Sequence, residues 1–170
     1  MLFHEKHSSR FRTLQSYMKR YARTSINFEM ETYNSGLVHA YAMEIAIRAQ
    51  RISKPKSWGT LYWMLNDAWP SISWSSIDYY GRWKAVQYYA KKLYKDVILF
   101  YHPHSNRFVV VNDKLTPIKA NYNIEVLTFD GDTLYSDADS ISLNENERRD
   151  MMRLDGNKIA GNEKKAFVYT

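Results

Sequence analysis

All five tryptophans of the 170-residue chain fall between Trp58 and Trp83. An ordinary hydrophobic core does not gather tryptophan that way, and this stretch is interrupted by Asn66, Asp67, Asp78 and Arg82. Large rings with a polar handle, set among carboxylates and amides, suit the wall of a cleft; an aromatic core corner is the plain alternative. Within the stretch, Gly59 to Leu65 is a short apolar run with Thr and Tyr, the pattern of a strand buried on both faces of a parallel sheet. Asn66-Asp67 and Pro70 end that run, and Ser71 to Ser76 is turn-forming. From Trp83 the period changes: Trp83, Val86, Ala90, Leu93 and Val97 recur at three- and four-residue spacing, which makes one apolar helix stripe. The order is strand, aromatic loop, helix. In barrels and doubly wound sheets the loop at the carboxyl end of such a strand is where ligands bind, which puts Trp63, Asn66, Asp67 and Trp69 on the functional face.

The flanks supply further elements. Ser8 or Ser9 caps a predicted helix running to about Ala22, with Phe11, Leu14, Met18 and Tyr21 on one face. A longer helix is predicted from about Glu29 to Arg51, its apolar stripe being Met30, Tyr33, Leu37, Tyr41 and Ile45, with Pro55 closing it. After Val97 the pattern turns to strands: Val97 to Tyr101, Phe108 to Val111, and a half-buried strand in which Ile118, Ala120, Tyr122, Ile124 and Val126 alternate with polar residues. Asp130-Gly131 supplies a hairpin turn. From Ser136 to Lys165 the chain is polar and acidic, and only Ile141 to Leu143 and Lys165 to Tyr169 read as strands there. That is too few for a closed sandwich of about seven strands.

Composition narrows the partners. A hydrophobic fraction of 45% argues against disorder, and no apolar run reaches the about 18 residues of a membrane span. Nothing at the amino end reads as a signal peptide, which leaves open a periplasmic or secreted parent whose signal lies ahead of this chain. With no cysteine there is no disulfide and no thiolate-bound metal. The net charge of +6 is concentrated before residue 58, where Arg10, Arg12, Lys19, Arg20 and Arg23 lie on a predicted helix with an apolar opposite face. That is a solvated outer helix rather than a nucleic-acid surface. His4 and His7 are three apart without a third ligand, so no metal site is expected. His102 and His104 flank Pro103 and read as solvated.

Residues Gly59 to Ala90 resemble the β-mannosidases of glycoside hydrolase family 2, with Met64 where the family has Gln and Ala68 where Cys or Ser is common. The likeness extends more weakly through His4 to His7 upstream, and through Val111-Asn112-Asp113 and Phe129-Asp130-Gly131 downstream. It implies an α/β plus all-β fold: the end of a TIM (β/α)8 barrel over residues 1–101, then an incomplete immunoglobulin-like β-sandwich over residues 102–170. It also implies a retaining hydrolase of terminal non-reducing β-D-mannose residues, using no metal or organic cofactor, with β-mannoside oligosaccharides or glycans as partners. Such enzymes need two carboxyl groups about 5 to 5.5 Å apart. In the family these are glutamates within Asn-Glu and Ser-Glu motifs on barrel strands. Asn144-Glu145, Asn146-Glu147 and Asn162-Glu163 lie in the acidic tail instead, and Ser-Glu is absent, so no catalytic residue is expected here. The family's nucleophile precedes its His-x-Lys segment, so this chain is expected to begin after it. The resemblance leaves Trp63 as the ring that stacks under the sugar, with Asn66 and Asp67 as substrate-binding or loop-holding neighbours. Trp58, Trp69, Trp74 and Trp83 are expected to pack. Two alternatives stand: a stand-alone carbohydrate-binding or interaction module, and a related hydrolase acting on β-galactosides or β-glucuronides.

Overall fold

Among the described residues three α-helices come first and six strands follow, with a short 3-10 turn at Gly156–Lys158 before the last strand. In this computed structural model, residues 11–158 and 166–169 are described. His4, His7, Ser8, Ser9 and Asn162-Glu163, named above, lie outside them. The chain divides into two compact units, Met1–Gln50 with Gly59–Tyr94, and Arg51–Trp58 with Lys95–Thr170.

In the first unit α1 spans Arg12–Tyr21 and buries Met18, with Lys19 and Arg20 in its last turn beside the negative end of the helix dipole. Helix α2 spans Phe28–Arg51. The side chain of Asn27 accepts the Met30 N–H at 2.8 Å, one of the donors that a helix start leaves without an intrahelical partner. The predicted stripe of α2 is inverted. Met30, Tyr33, Leu37, Tyr41 and Ile45 are exposed, whereas Asn34, Ser35, Val38, Ala40 and Ile47 are buried. Asn34 is satisfied there by Nδ2 donation to the Arg23 carbonyl and to Ser25, and Ser35 by donation to the Thr32 carbonyl. Both faces of α2 carry apolar residues, and this chain covers only one. Helix α3, Ala85–Leu93, buries Val86, Ala90 and Leu93 as its spacing predicts.

The Gly59 to Leu65 run is neither a strand nor buried: it bends at Trp63 and Leu65, no ladder partner flanks it among the described residues, and Leu61 is 97% exposed. The odd residues Leu61, Trp63 and Leu65 face outward, while Thr60, Tyr62 and Met64 are partly covered. Tyr62 and Tyr94 meet at 6.4 Å between ring centroids, and the Tyr94 hydroxyl donates to the Thr60 carbonyl at 3.1 Å, so α3 supplies that cover.

The second unit is two antiparallel sheets of three strands. Strands β1 (Val97–His102), β2 (Arg107–Asn112) and β5 (Arg148–Arg153) form one, in the order β1-β2-β5. Strands β4 (Thr133–Leu143), β3 (Ile118–Thr128) and β6 (Ala166–Tyr169) form the other, in the order β4-β3-β6. Phe108, Ile124, Val126 and Leu154 are the centre of a core that Leu99, Tyr101, Tyr122, Met151 and Val168 complete from both sheets. The alternation along β3 holds, and Gly131, at φ 98°, turns the β3–β4 hairpin as its sequence predicts. Strand β4 is longer than the Ile141–Leu143 expected, and β5 was not expected at all. Arg148 and Asp150 of β5 pair with each other at 2.6 Å, so the charges that hid the strand satisfy one another. Arg51 and Lys54 both bind the Asp113 carboxylate, and Arg148 donates to the Ile52 carbonyl at 3.0 Å, which fastens residues 51–58 into this unit. Buried Asn112 donates to the carbonyls of Thr116 and Asn144 and accepts the Lys114 N–H.

Candidate functional site

Residues 62–87 of the first unit hold the densest polar arrangement of the aromatic stretch. Asp67 is buried because its neighbours satisfy it. Its carboxylate accepts from the Lys84 ammonium at 2.7 Å and from the Ser73 hydroxyl. Lys84 also donates to Ser75 Oγ at 2.7 Å and to Ser73 Oγ at 3.3 Å. Burial alone would raise the Asp67 carboxyl, but bonds from Lys84, Ser73 and Ser75 and the Lys84 charge more than offset it, so its pKa is lowered. His39 on α2 feels the same ammonium: burial first, then Lys84, lower its pKa and keep the ring neutral.

Backbone bonds complete the loop. The Ser76 N–H donates to the carbonyls of Met64 (3.0 Å) and Leu65 (3.1 Å), the Ile77 N–H to Leu65 (2.8 Å), and the Asp67 N–H to Ile77 (3.0 Å). Tyr62 donates to Ser76 Oγ at 3.0 Å and to Gln87 Oε1 at 3.3 Å. Ser75 and Ser76 are fully buried. The serine run that reads as turn-forming is therefore an internal brace.

Trp63 projects from the outward side of the Gly59 to Leu65 run, 73% exposed, next to a cis Trp63–Met64 peptide. Its exposed indole is free to lie against a flat apolar face. Asn66 is exposed and its Nδ2 donates to the Asp67 carbonyl at 3.4 Å. Of the three candidate residues, Trp63 and Asn66 face outward, and Asp67 is turned inward and occupied. Trp69, Trp74 and Trp83 are exposed rather than packed, and so, in the second unit, is Trp58. Trp83 takes Tyr88 edge-on at 5.2 Å and Lys91 at 5.7 Å, and Trp58 takes Lys54 at 5.0 Å. Reading the sequence missed Lys84, Ser73 and Ser75. The one signal for them was a lysine in the aromatic stretch with no acidic neighbour along the chain.

Among the described residues no three His, Asp or Glu side chains gather as metal ligands. The carboxylates described in the first unit are Glu29, Glu31, Glu44, Asp67 and Asp78. Glu44 pairs with Arg48 and Asp78 with Arg82, while Glu29 and Glu31, two apart on α2, point different ways. Asn144 and Glu147 form the β4–β5 turn: the Asn144 N–H donates to Glu147 at 2.7 Å, and Arg149 binds the same carboxylate.

Residues 106–170 match the family model described as mannosidase Ig/CBM-like domain. The chain is 32% identical over 84 residues to β-mannosidase A of Neosartorya fischeri, covering 47% of this chain and 9% of that protein. It is 31% identical over 104 residues to β-mannosidase B of Emericella nidulans, covering 57% and 12%. In fold it is similar to the β-D-mannosidase of Dictyoglomus thermophilum, with a TM-score of 0.85 at 24% identity over 98% of this chain and 20% of that one. It is also similar to an exo-chitosanase of Amycolatopsis orientalis, with a TM-score of 0.70 at 21% identity over 83% and 17%. The chain thus spans about a tenth of the curated relatives' length. The chain is similar in sequence to β-mannosidases over 84 to 104 residues, and its residues 106–170 match a mannosidase Ig/CBM-like domain.

Proposed function

We propose that the chain is part of a retaining glycoside hydrolase of family 2 that removes terminal β-D-mannose residues, and that Trp63 is its sugar platform. The first unit contributes the closing part of a (β/α)8 barrel and the second the immunoglobulin-like sandwich that follows. The observation that carries the reading is Trp63 itself, a large ring held 73% exposed by a braced segment. An indole face offers apolar contact to the C–H face of a pyranose without demanding hydrogen bonds. Two further observations support the barrel. Among the described residues the Gly59 to Leu65 run lacks strand partners on either side, and the outer face of α2 carries Tyr33, Leu37, Tyr41 and Ile45 uncovered. An exposed helix face with that many large apolar side chains suits cover by further structure.

The nucleophile and the acid/base come from elsewhere in such an enzyme, because the carboxylates described in the first unit are paired or splayed. As the sugar flattens toward its oxocarbenium-like transition state, Trp63 stacks beneath it and Asn66 meets a hydroxyl. Replacing Trp63 by Ala in the complete enzyme is expected to lower kcat/KM for p-nitrophenyl β-D-mannoside by about one to three powers of ten. A value within about twofold of the parent, with unchanged circular dichroism, would make Trp63 a packing residue and overturn the platform. The likeness in fold to an exo-chitosanase favours a second reading, the same chemistry on another sugar. Assays against β-glucosaminides, β-galactosides and β-glucuronides separate the two.

A further inference from the structure

We propose that the Lys84 side chain is the positioning residue of the Trp63 platform, acting through Asp67 and Ser75; this rests on the reading of Trp63 as a sugar-stacking ring. Lys84 occupies the N-cap of α3, where Ser, Thr, Asn or Asp is preferred and the helix dipole opposes a positive charge. It makes no side-chain cap there. Local helix stability therefore gives no reason for a lysine at this position.

The reason lies 17 residues back along the chain. The ammonium spends its three donors on Asp67, Ser75 and Ser73, while the Lys84 N–H donates to the Ser76 carbonyl at 2.9 Å. Ser76 in turn holds the carbonyls of Met64 and Leu65 and receives the Tyr62 hydroxyl. Trp63 is the residue between Tyr62 and Met64, and both of its neighbours are bonded to Ser76, whose carbonyl takes the Lys84 N–H and whose neighbour Ser75 takes the Lys84 ammonium. The Asp67 side chain is only 4% exposed and its oxygens are occupied, so it anchors the loop and does not touch sugar. Of the two roles the sequence leaves open, contact with hydroxyls or holding the loop, Asp67 takes the second, with Lys84 at the other end of the tether.

The experiment uses the 170-residue chain labelled with 5-fluorotryptophan, whose five fluorine resonances are assigned by single Trp→Phe changes. K84M and D67N are expected to shift and broaden the Trp63 resonance and to leave that of Trp58, which belongs to the second unit, in place. K84R, which keeps the charge beside Asp67, is expected to restore the parent signal. A Trp63 resonance unmoved in K84M overturns the proposal, as does a K84R chain indistinguishable from K84M. Should K84M unfold the first unit, seen as loss of helical circular dichroism, D67N carries the same comparison. Methyl β-D-mannoside is then titrated, and K84M is expected to weaken binding about tenfold. No response of the parent chain to sugar counts against the platform reading, while the sugar-free Trp63 resonance still decides the role of Lys84. Sugar binding equal in parent and K84M overturns the positioning role and leaves the platform standing.

Discussion

Trp63 and Asp67 are four residues apart and lie on opposite sides of a stability ledger. The Trp63 ring is already in solvent, so Trp63→Ala is expected to change the unfolding free energy of the 170-residue chain, measured by urea titration, by less than about 0.5 kcal/mol. Asp67→Ala strands the Lys84 ammonium among covered atoms and is expected to cost about 3 kcal/mol, read as the loss of helical signal at lower urea. Acid separates them further. The lowered pKa of Asp67, and of Asp113 between Lys54 and Arg51, means that each contributes stability fully above the ordinary aspartate value of 3.8. That contribution is lost as pH falls through the lowered folded values. Thermal midpoints of the first unit should decline gently below the ordinary histidine value of 6.5, where the unfolded chain protonates His39 and the folded ring resists it. They should therefore fall more steeply below about pH 4, with Asp67→Asn lacking its share of the steeper fall. A profile identical in parent and variant would show that Asp67 has no depressed pKa. At this scale the concentration of tryptophan was legible in the sequence, but the exposure of the Trp63 ring was not, because the run carrying it reads as a buried strand. The occupant of the Asp67 carboxylate was no more legible, because a partner 17 residues away leaves no mark on local pattern.

The elements show the same division between local and distant causes. Helix α3, strand β3 and the Asp130-Gly131 turn follow from spacing and turn chemistry that neighbours along the chain determine. Gly131 at φ 98° has no atom near where a Cβ would stand, so Gly131→Ala meets backbone strain alone. The expected cost is about 1 kcal/mol, measured on the unfolding of the sandwich; no change would mean that the hairpin turns in another way. The inverted stripe of α2 was not legible, because a helix with apolar residues on both faces gives no indication of which face its chain will cover. Strand β5 was hidden for the opposite reason. Arg148, Arg149 and Asp150 look like solvated tail until Asp150, Glu147 and Arg107 are in place to pair with them. Gly59 to Leu65 reads as a buried strand because its residues suit one, while the neighbours that would bury it are not among the described residues.

For the whole molecule, the described carboxylates of the first unit are paired or splayed, which predicts that the purified 170-residue chain does not hydrolyse p-nitrophenyl β-D-mannoside; turnover abolished by a point change within it would overturn that. The uncovered aromatic residues of the first unit also predict binding of anilinonaphthalene sulfonate, and a first unit that melts before the sandwich. A single transition followed equally by helix and strand signals would count against it. The pairing of residues 51–58 with the sandwich gives the molecule an unusual bookkeeping of ends. Following the chain from its amino end, one passes from the first unit to the second, back to the first, and into the second again. Neither unit is a continuous passage of text, and no single cut yields either one whole. A polypeptide beginning at Lys95 would keep all six strands yet lose both cations of Asp113 and the carbonyl that Arg148 grips. In recombination, the two units are therefore inherited as an interleaved pair rather than as beads that can be restrung.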